Sequence, residues 1–416
     1  MSIFDSKSKL TLLALAMSVA LTGCLGGSGG SNGSGDGSGS GSTAGSTGGG
    51  STGGGSTGGG SSVVQLHDET WDLGNDRLLG LARHGSGSDT ITILKGTPKD
   101  GQDGDIFSVR SAAPDSTVLA EIKNIDNLND TMDYADVDTM EDYVVLCQDG
   151  SNTSGYTAAA SLQIFKRDDP SKVVTFDLTG LDAYGRFEMR DCHSIDARFT
   201  GGTSTAYEAV IYTVGNSMMT SGSPMTNNDR VVRTRLTIDK TVDVDASGAI
   251  ALKSGATDNA ENLYKASGAD ELAGIAANNY GVYFTLNDSV NSETSLLFMN
   301  PNPTTPTIST VTTTETDAFT GLEQMMRISD IAVIESSDYD LIYMTSNYGD
   351  TGIVMAAYDR SGVKPARTFA KSTDTLTERC EDRLVLKYNG NVGDKMWCHD
   401  ATDKGNILEL NSPVYP

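Results

Sequence analysis

From Val63 onward the chain repeats one pattern: a polar turn, a hydrophobic strand, a loop of Gly, Asn, Asp and Ser, and a second strand ending in a charged or Pro-containing turn. The copies are RLLGLARHG with DTITILKG, YVVLCQDG with SLQIFKRDDP, AVIYTVGN with RVVRTRLTID, GVYFTLND with SLLFMNPNP, DLIYMTSN with IVMAAYDRSG, and KMWCHDA with NILELNSP. Anchored on Leu79, Val145, Ile211, Tyr283, Ile342 and Met396, their spacing runs from 54 to 72 residues. Short runs rich in Val, Ile, Tyr and Thr between turn formers read as strands, and long helical periodicity is scarce. Another strand candidate precedes most copies, as at 329–334, and a fourth follows several, as at 172–178. A unit of about four strands cannot bury its faces alone. Repeated units must pack on their neighbours, and a closed ring leaves no unit uncovered.

The expected fold is therefore all-β, a β-propeller of about six four-stranded blades over residues 63–416. A pair of β-sandwiches or a β-helix would also supply many strands. The last unit lacks an outer strand after 406–410, and Val63-Val64-Gln65-Leu66 is placed to supply it and close the ring. The domain resembles bacterial propeller lipoproteins in general, over nearly its whole length. Its one Trp-Asp dipeptide, Trp71-Asp72, does not recur from unit to unit, so no repeated Trp-Asp, kelch or Asp-box signature is present, and it matches no specific family.

The other end of the chain carries an export signal. Lys7 and Lys9 precede an apolar run at 10–21, too short for the roughly twenty residues of a membrane-spanning helix. The run ends in Leu21-Thr22-Gly23-Cys24, which resembles the lipobox of bacterial lipoproteins. That resemblance implies a signal peptide at 1–23, cleavage before Cys24, lipidation (diacylglycerol and palmitate) of the Cys24 thiol, and sorting to the outer membrane because Leu25 rather than Asp follows. An ordinary secretory signal with an incidental cysteine is the alternative. Residues 24–62 then form a linker: after Cys24 and Leu25 it is Gly, Ser and Thr, interrupted by Asn32, Asp36 and Ala44. Such a segment has nothing to bury and is expected to be disordered, with a reach of about 30–35 Å.

A net charge of −25 argues against nucleic acid, whose phosphates need Lys and Arg. Solubility and self-repulsion account for the acidity; a cation site or a basic partner is the functional alternative. Besides Cys24 there are Cys147, Cys192, Cys380 and Cys398. An even set in an exported chain suggests two disulfides. Cys380 and Cys398 are symmetric about Asn389 in the turn Tyr388-Asn389-Gly390-Asn391, so a regular hairpin would set them face to face. Cys147–Cys192 is left to join neighbouring units. No CxxC pair suits a metal, and no CxxCH suits a haem.

Catalytic motifs are scarce. Outside the Gly/Ser/Thr linker there is no GxSxG that could form a nucleophile elbow. Of His67, His84, His193 and His399, His193 is singled out because Arg190-Asp191-Cys192-His193-Ser194-Ile195-Asp196 is expected to lie in an inner strand facing the channel. Polar residues recur in the inner-strand candidates, and Asp136, Asp138, Asp191, His193, Asp330 and Asp382 form a candidate channel cluster. In propeller hydrolases of the lactonase and phosphotriesterase type, carboxylates so placed hold Ca²⁺; pairing with Arg190, Arg327 or Arg379 is the plainer account. The segment from Asp243 to Gly248 begins like a calcium loop, but its twelfth position is Ser254 rather than the bidentate Glu. Only Trp71 and Trp397 are present, too few for a sugar platform. Ca²⁺ is the one cofactor with a partial case.

The combination of stalk, repeat domain and missing catalytic motif points to a lipid-anchored scaffold that presents a binding surface to a protein partner of the envelope or cell surface. A Ca²⁺-dependent lactonase or esterase-type hydrolase at the channel is one alternative, and a surface adhesin or matrix component is another. Either face of the outer membrane fits.

Overall fold

The computed structural model describes residues 64–66, 77–83, 90–96, 106–111, 118–123, 134–150, 159–167, 169–220, 227–239, 260–268, 270–288, 293–301, 307–313, 328–335, 339–346, 352–359, 367–368, 379–389, 392–401 and 407–411. All regular structure among them is β, apart from one 3₁₀ position at Arg379. Sheet 1 holds β2 (Arg77–Arg83), β3 (Thr90–Gly96), β4 (Ile106–Ser111) and β5 (Val118–Lys123). Sheet 2 holds β6 (Tyr134–Met140), β7 (Tyr143–Gln148), β8 (Ser161–Lys166) and β9 (Asp169–Asp177). Sheet 3 contains β10 (Thr179–Asp182), β11 (Gly185–Met189), β12 (Ser194–Gly202), β13 (Ala206–Met219), β14 (Asn227–Asp239) and β15 (Ala260–Lys265). Sheet 4 holds β16 (Glu271–Ala277), β17 (Val282–Asp288), β18 (Glu293–Asn300) and β19 (Thr307–Thr313). Sheet 5 holds β20 (Ile328–Glu335), β21 (Asp340–Ser346), β22 (Ile353–Tyr358) and β23 (Arg367–Thr368). Sheet 6 combines β24 (Cys380–Asn389), β25 (Val392–Asp400) and β26 (Ile407–Asn411) with β1 (Val64–Leu66).

The first strands β2, β6, β12, β16, β20 and β24 neighbour one another in that order, and β24 returns to β2. The fold is thus all-β and propeller-like. Hydrophobic cores lie between sheets, as the sequence pattern requires. Met140, Val145 and Cys147 of sheet 2 pack with Ile195 and Ile211 of sheet 3. Val214 and Val231 pack with Ile275 and Phe284 of sheet 4, Tyr283 with Ile331 and Ile342 of sheet 5, and Ile334 with Leu384 and Met396 of sheet 6. Leu81 and Ile91 of sheet 1 meet Trp397 and Ile407, and Ala82 and Leu94 meet Val137 and Leu146. Strands buried on both faces, such as β7 and β8, read as near-continuous apolar runs for that reason.

The N-terminal strand closes the last sheet: Val64, Gln65 and Leu66 pair antiparallel with Glu409, Leu408 and Ile407. Three details differ from the sequence reading. Anchors Val145, Ile211, Tyr283, Ile342 and Met396 all lie in second strands, whereas Leu79 lies in the first strand β2. The first copy was therefore aligned one strand early, because apolar β2 resembles a second strand in composition.

Sheet 3 also has six strands rather than four. Its β13 and β14 are 14 and 13 residues long. Their far ends meet the β10–β11 hairpin, with β10 on β15 and β11 on β13, so five strands close on themselves. Gly180 permits this closure, since a Cβ there would lie 1.9 Å from the Ala260 carbonyl oxygen. Inside sits fully buried Arg230, paired with Asp182 at 2.7 Å and lying 4.4 Å from the Phe187 ring centroid.

Both disulfides join the expected cysteines. Cys147–Cys192 ties β7 to the segment ahead of β12, and so sheet 2 to sheet 3. Cys380–Cys398 lies within sheet 6, but the two residues are not directly opposite: Cys380 pairs in register with Asp400, and Cys398 with Leu384. A bulge between Glu381 and Leu384 shifts the register, and the bridge runs diagonally across it.

Candidate functional site

Six first strands surround a cavity of about 350 Å³, lined by residues 81–83 of β2, 136–140 of β6 with Glu141, 195–199 of β12, 275–277 of β16, 330–333 of β20, and 384–386 and 388 of β24. The described segments that follow the lining stretches of β16 and β20 lie towards one end of it. There Arg198 donates to Asn279 Oδ1 (2.8 Å), and Asn279 donates through its backbone N (3.1 Å) and Nδ2 (3.2 Å) to the Glu335 carboxylate. Tyr280 and Tyr339 project from the β16–β17 and β20–β21 turns and are 47 % and 36 % exposed.

Neighbouring first strands share no hydrogen-bonded ladder, so their amides need other acceptors. Aspartates supply them. Asp136 accepts from its own Val137 N at 2.9 Å and from Ile195 N of sheet 3 at 2.9 Å. Asp138 does the same with Thr139 N (2.7 Å) and Ala197 N (2.6 Å). Asp330 accepts from Ile331 N (2.8 Å) and from Leu384 N of sheet 6 (2.8 Å). Asp196 and Asp229 of sheet 3 take Ala277 N (2.9 Å) and Leu272 N (2.8 Å) of sheet 4. At the next seam Asn287 Oδ1 accepts from Ile328 N (3.3 Å).

Burial of these acids disfavours their charge. Burial pushes the Asp138 carboxyl well above its ordinary range, and Asp196 nearby adds to it. Burial raises Asp196 and Asp136 as well, with Arg198 and Arg383 respectively opposing. Asp330 is pushed up to about 7 by burial, against the pull of Arg383.

Arg383 lies directly ahead of the β24 lining stretch. Its side chain leaves β24 and reaches Ala135 O of sheet 2 (2.7 Å) and His193 O of sheet 3 (3.3 Å), residues just ahead of the lining stretches. It stands 3.4 Å from Asp136. Burial alone would lower its pKa, but Asp136, Asp330 and Asp382 outweigh that and raise it.

The six residues of the expected channel cluster fall into overlapping groups. Asp136 and Asp330 share Arg383, which Asp382 also faces, while Asp138 lies near both Asp196 and Asp136. Asp191 and His193 precede β12 rather than lying in it. His193 Nδ1 is 2.5 Å from Leu272 O, so the ring turns towards sheet 4. Burial raises the half-buried Asp191, and His193 opposes that. Asp382 belongs to a third group, with Glu381 and buried His399. Of the expected arginine partners, Arg190 pairs with Glu188 while still opposing the rise at Asp191, and Arg379 pairs with Asp400.

Sequence reasoning passed over Asp196, Asp229 and Arg383. Its available signal was an Asp directly ahead of an apolar residue in one first strand after another: Asp136-Val137, Asp196-Ala197, Asp330-Ile331. Cys24, His67, Trp71, His84, Arg327 and the 243–254 loop lie outside the described residues.

No protein-family model and no curated protein sequence matches the chain. Among solved structures, the extracellular region of plexin A4 is 9 % identical over 61 % of this chain, with a TM-score of 0.38. The chain spans about a third (32 %) of that region's length. A Bacteroides fragilis protein provisionally assigned as a 6-phosphogluconolactonase is 13 % identical, covering 80 % of this chain and 82 % of its own, with a TM-score of 0.39. Sqt1 of Chaetomium thermophilum, bound to the N-terminus of ribosomal protein L10, is 10 % identical over 82 % of this chain and 98 % of its own, with a TM-score of 0.36. Likenesses this loose carry nothing about activity.

Proposed function

We propose that the protein is a lipid-anchored, six-bladed β-propeller that holds a protein partner of the cell envelope or cell surface at the mouth of its central cavity. The observation that carries this reading is the use already made of the cavity's acids. Asp136, Asp138 and Asp330 each direct both carboxylate oxygens at backbone amides. A Ca²⁺-dependent hydrolase needs carboxylates that converge on a cation and leave it an open position. A binding module needs a rigid rim, which the Arg198–Asn279–Glu335 chain and the exposed Tyr280 and Tyr339 supply. Tyrosine offers large contact area with few torsions to freeze, which suits protein recognition.

Cys24, lipidated and held in the outer membrane, would tether the module, and residues 25–62 would let it search for its partner. A net charge of −25 disfavours acidic partners. Crosslinking of intact envelopes followed by pull-down should recover one specific protein, and Tyr280→Ala with Tyr339→Ala should abolish its capture while thermal stability is kept. Failure to recover a specific partner, together with Ca²⁺-dependent lactone or ester hydrolysis lost in Asp138→Asn, would replace this reading with the enzymatic one.

A further inference from the structure

We propose that Glu381, Asp382 and His399 form a site for a divalent transition-metal ion of the Zn²⁺ class, separate from the cavity mouth. Glu381 of β24 pairs in register with His399 of β25, and the bulge begins directly after Glu381. In a regular strand Glu381 and Asp382 would point to opposite faces; a bulge can bring consecutive side chains to one side. Asp382 takes the left-handed conformation, with φ 53°, which a non-glycine residue adopts only where its surroundings hold it. They do so here: Ser329 Oγ (3.0 Å) and Thr345 Oγ1 (2.9 Å) both donate to the Asp382 carbonyl. Next to the pair, the Cys380–Cys398 bridge fixes the two strands.

The distances suit a metal ion held between the groups as well as a long ion pair. His399 Nδ1 lies 3.3 Å from Glu381 Oε1 and 3.9 Å from Asp382 Oδ2. A charge-assisted hydrogen bond would close to about 2.7–2.9 Å. Ligands at about 2.0–2.1 Å from a tetrahedral ion stand about 3.4 Å apart, so both separations fall near that edge. One candidate ligand atom from each residue lies within 4.8 Å of the others. An imidazole among the donors favours Zn²⁺-like ions over Ca²⁺, which prefers six to eight oxygens. The side chains of Glu381 and Asp382 are 16 % and 24 % exposed against 2 % for His399, so the ion would enter from the carboxylate side and keep a position open to water. Arg383 is the competing cation, and it also answers to Asp136 and Asp330.

The full chain, stripped of metal with chelator and titrated with ZnCl₂ in a calorimeter, should bind one equivalent. With CoCl₂ it should develop the visible absorption of a low-symmetry, four- or five-coordinate ion. Glu381→Gln and Asp382→Asn, partly exposed and so tolerant of change, should each weaken Zn²⁺ binding at least about tenfold, as loss of a direct ligand must exceed the effect of a supporting residue. Asp142→Asn, an exposed acid elsewhere, should leave binding intact. Absence of saturable Zn²⁺ and Co²⁺ binding would overturn the proposal, as would unchanged affinity in a folded Glu381→Gln/Asp382→Asn double variant.

Discussion

The seam between sheets 2 and 3 and the seam between sheets 6 and 1 join similar surfaces with different chemistry. Across the first, Asp136 and Asp138 accept backbone amides of β12, and the Cys147–Cys192 bridge adds a covalent tie. Across the second, fully buried Trp397 packs with Leu81 and Ile91, and the Arg83 guanidinium lies 5.6 Å from the Tyr388 ring centroid. Sheet 6, on one side of the second seam, is the sheet that β1 completes by pairing with β26. Directional staples set register and respond to pH, whereas apolar packing does neither but tolerates small shifts. A ring closed by its last and first sheets gains from a forgiving joint at the closure.

Trp397→Ala should have the largest effect, a loss of about 3–5 kcal/mol in denaturant unfolding, because the cavity left is large. It would also strip Glu409 of the indole N–H that donates at 3.2 Å. A loss below about 1 kcal/mol would show that packing does not hold the closing seam. Next in size, replacing Cys147 and Cys192 together with Ser should cost about 2–4 kcal/mol, read in the same assay. An unchanged midpoint would leave the stapled seam to its carboxylates alone. Asp138→Ala should cost about 1–3 kcal/mol by orphaning the Ala197 amide, with slowed exchange protection at that amide lost first.

The smallest change should come from Asp330→Asn, about 0.5–1.5 kcal/mol at neutral pH, since one amide acceptor survives. Its pH dependence is more telling. Asp330 keeps its proton in the folded chain to about pH 7, while the unfolded chain releases it near pH 4. Between those values the folded state binds more protons, so this contribution is fully present below about pH 4 and is lost as pH rises through about 7. Thermal midpoints measured from pH 4 to 8 should fall in the wild type, and Asp330→Asn should flatten part of that fall. A slope identical in both would remove Asp330 as its source.

Much of the fold was legible because strand pattern is a local property. The paired apolar runs, the turn formers between them and the missing outer strand after β26 all lie in the one-dimensional text. Even the cysteine partners could be read, though not their diagonal crossing, since the bulge after Glu381 leaves no mark in composition. The long β13 and β14 were harder: their sequence reads as two strands, and only contact with the β10–β11 hairpin turns them into a small closed barrel. The candidate site was legible as a set of polar residues and illegible as an arrangement. Asp136, Asp138 and Asp330 look like cation ligands until the amides of Ile195, Ala197 and Leu384 occupy their oxygens.

By itself the sequence determined that this chain builds strands in repeating units, that each unit must be covered by the next, and which cysteines join. Hydrophobic period and turn chemistry act over a few residues, so they survive in the text. Which acids staple sheets, which face Arg383 and which gather around His399 was decided only by the tertiary structure, because each depends on groups tens to hundreds of residues away.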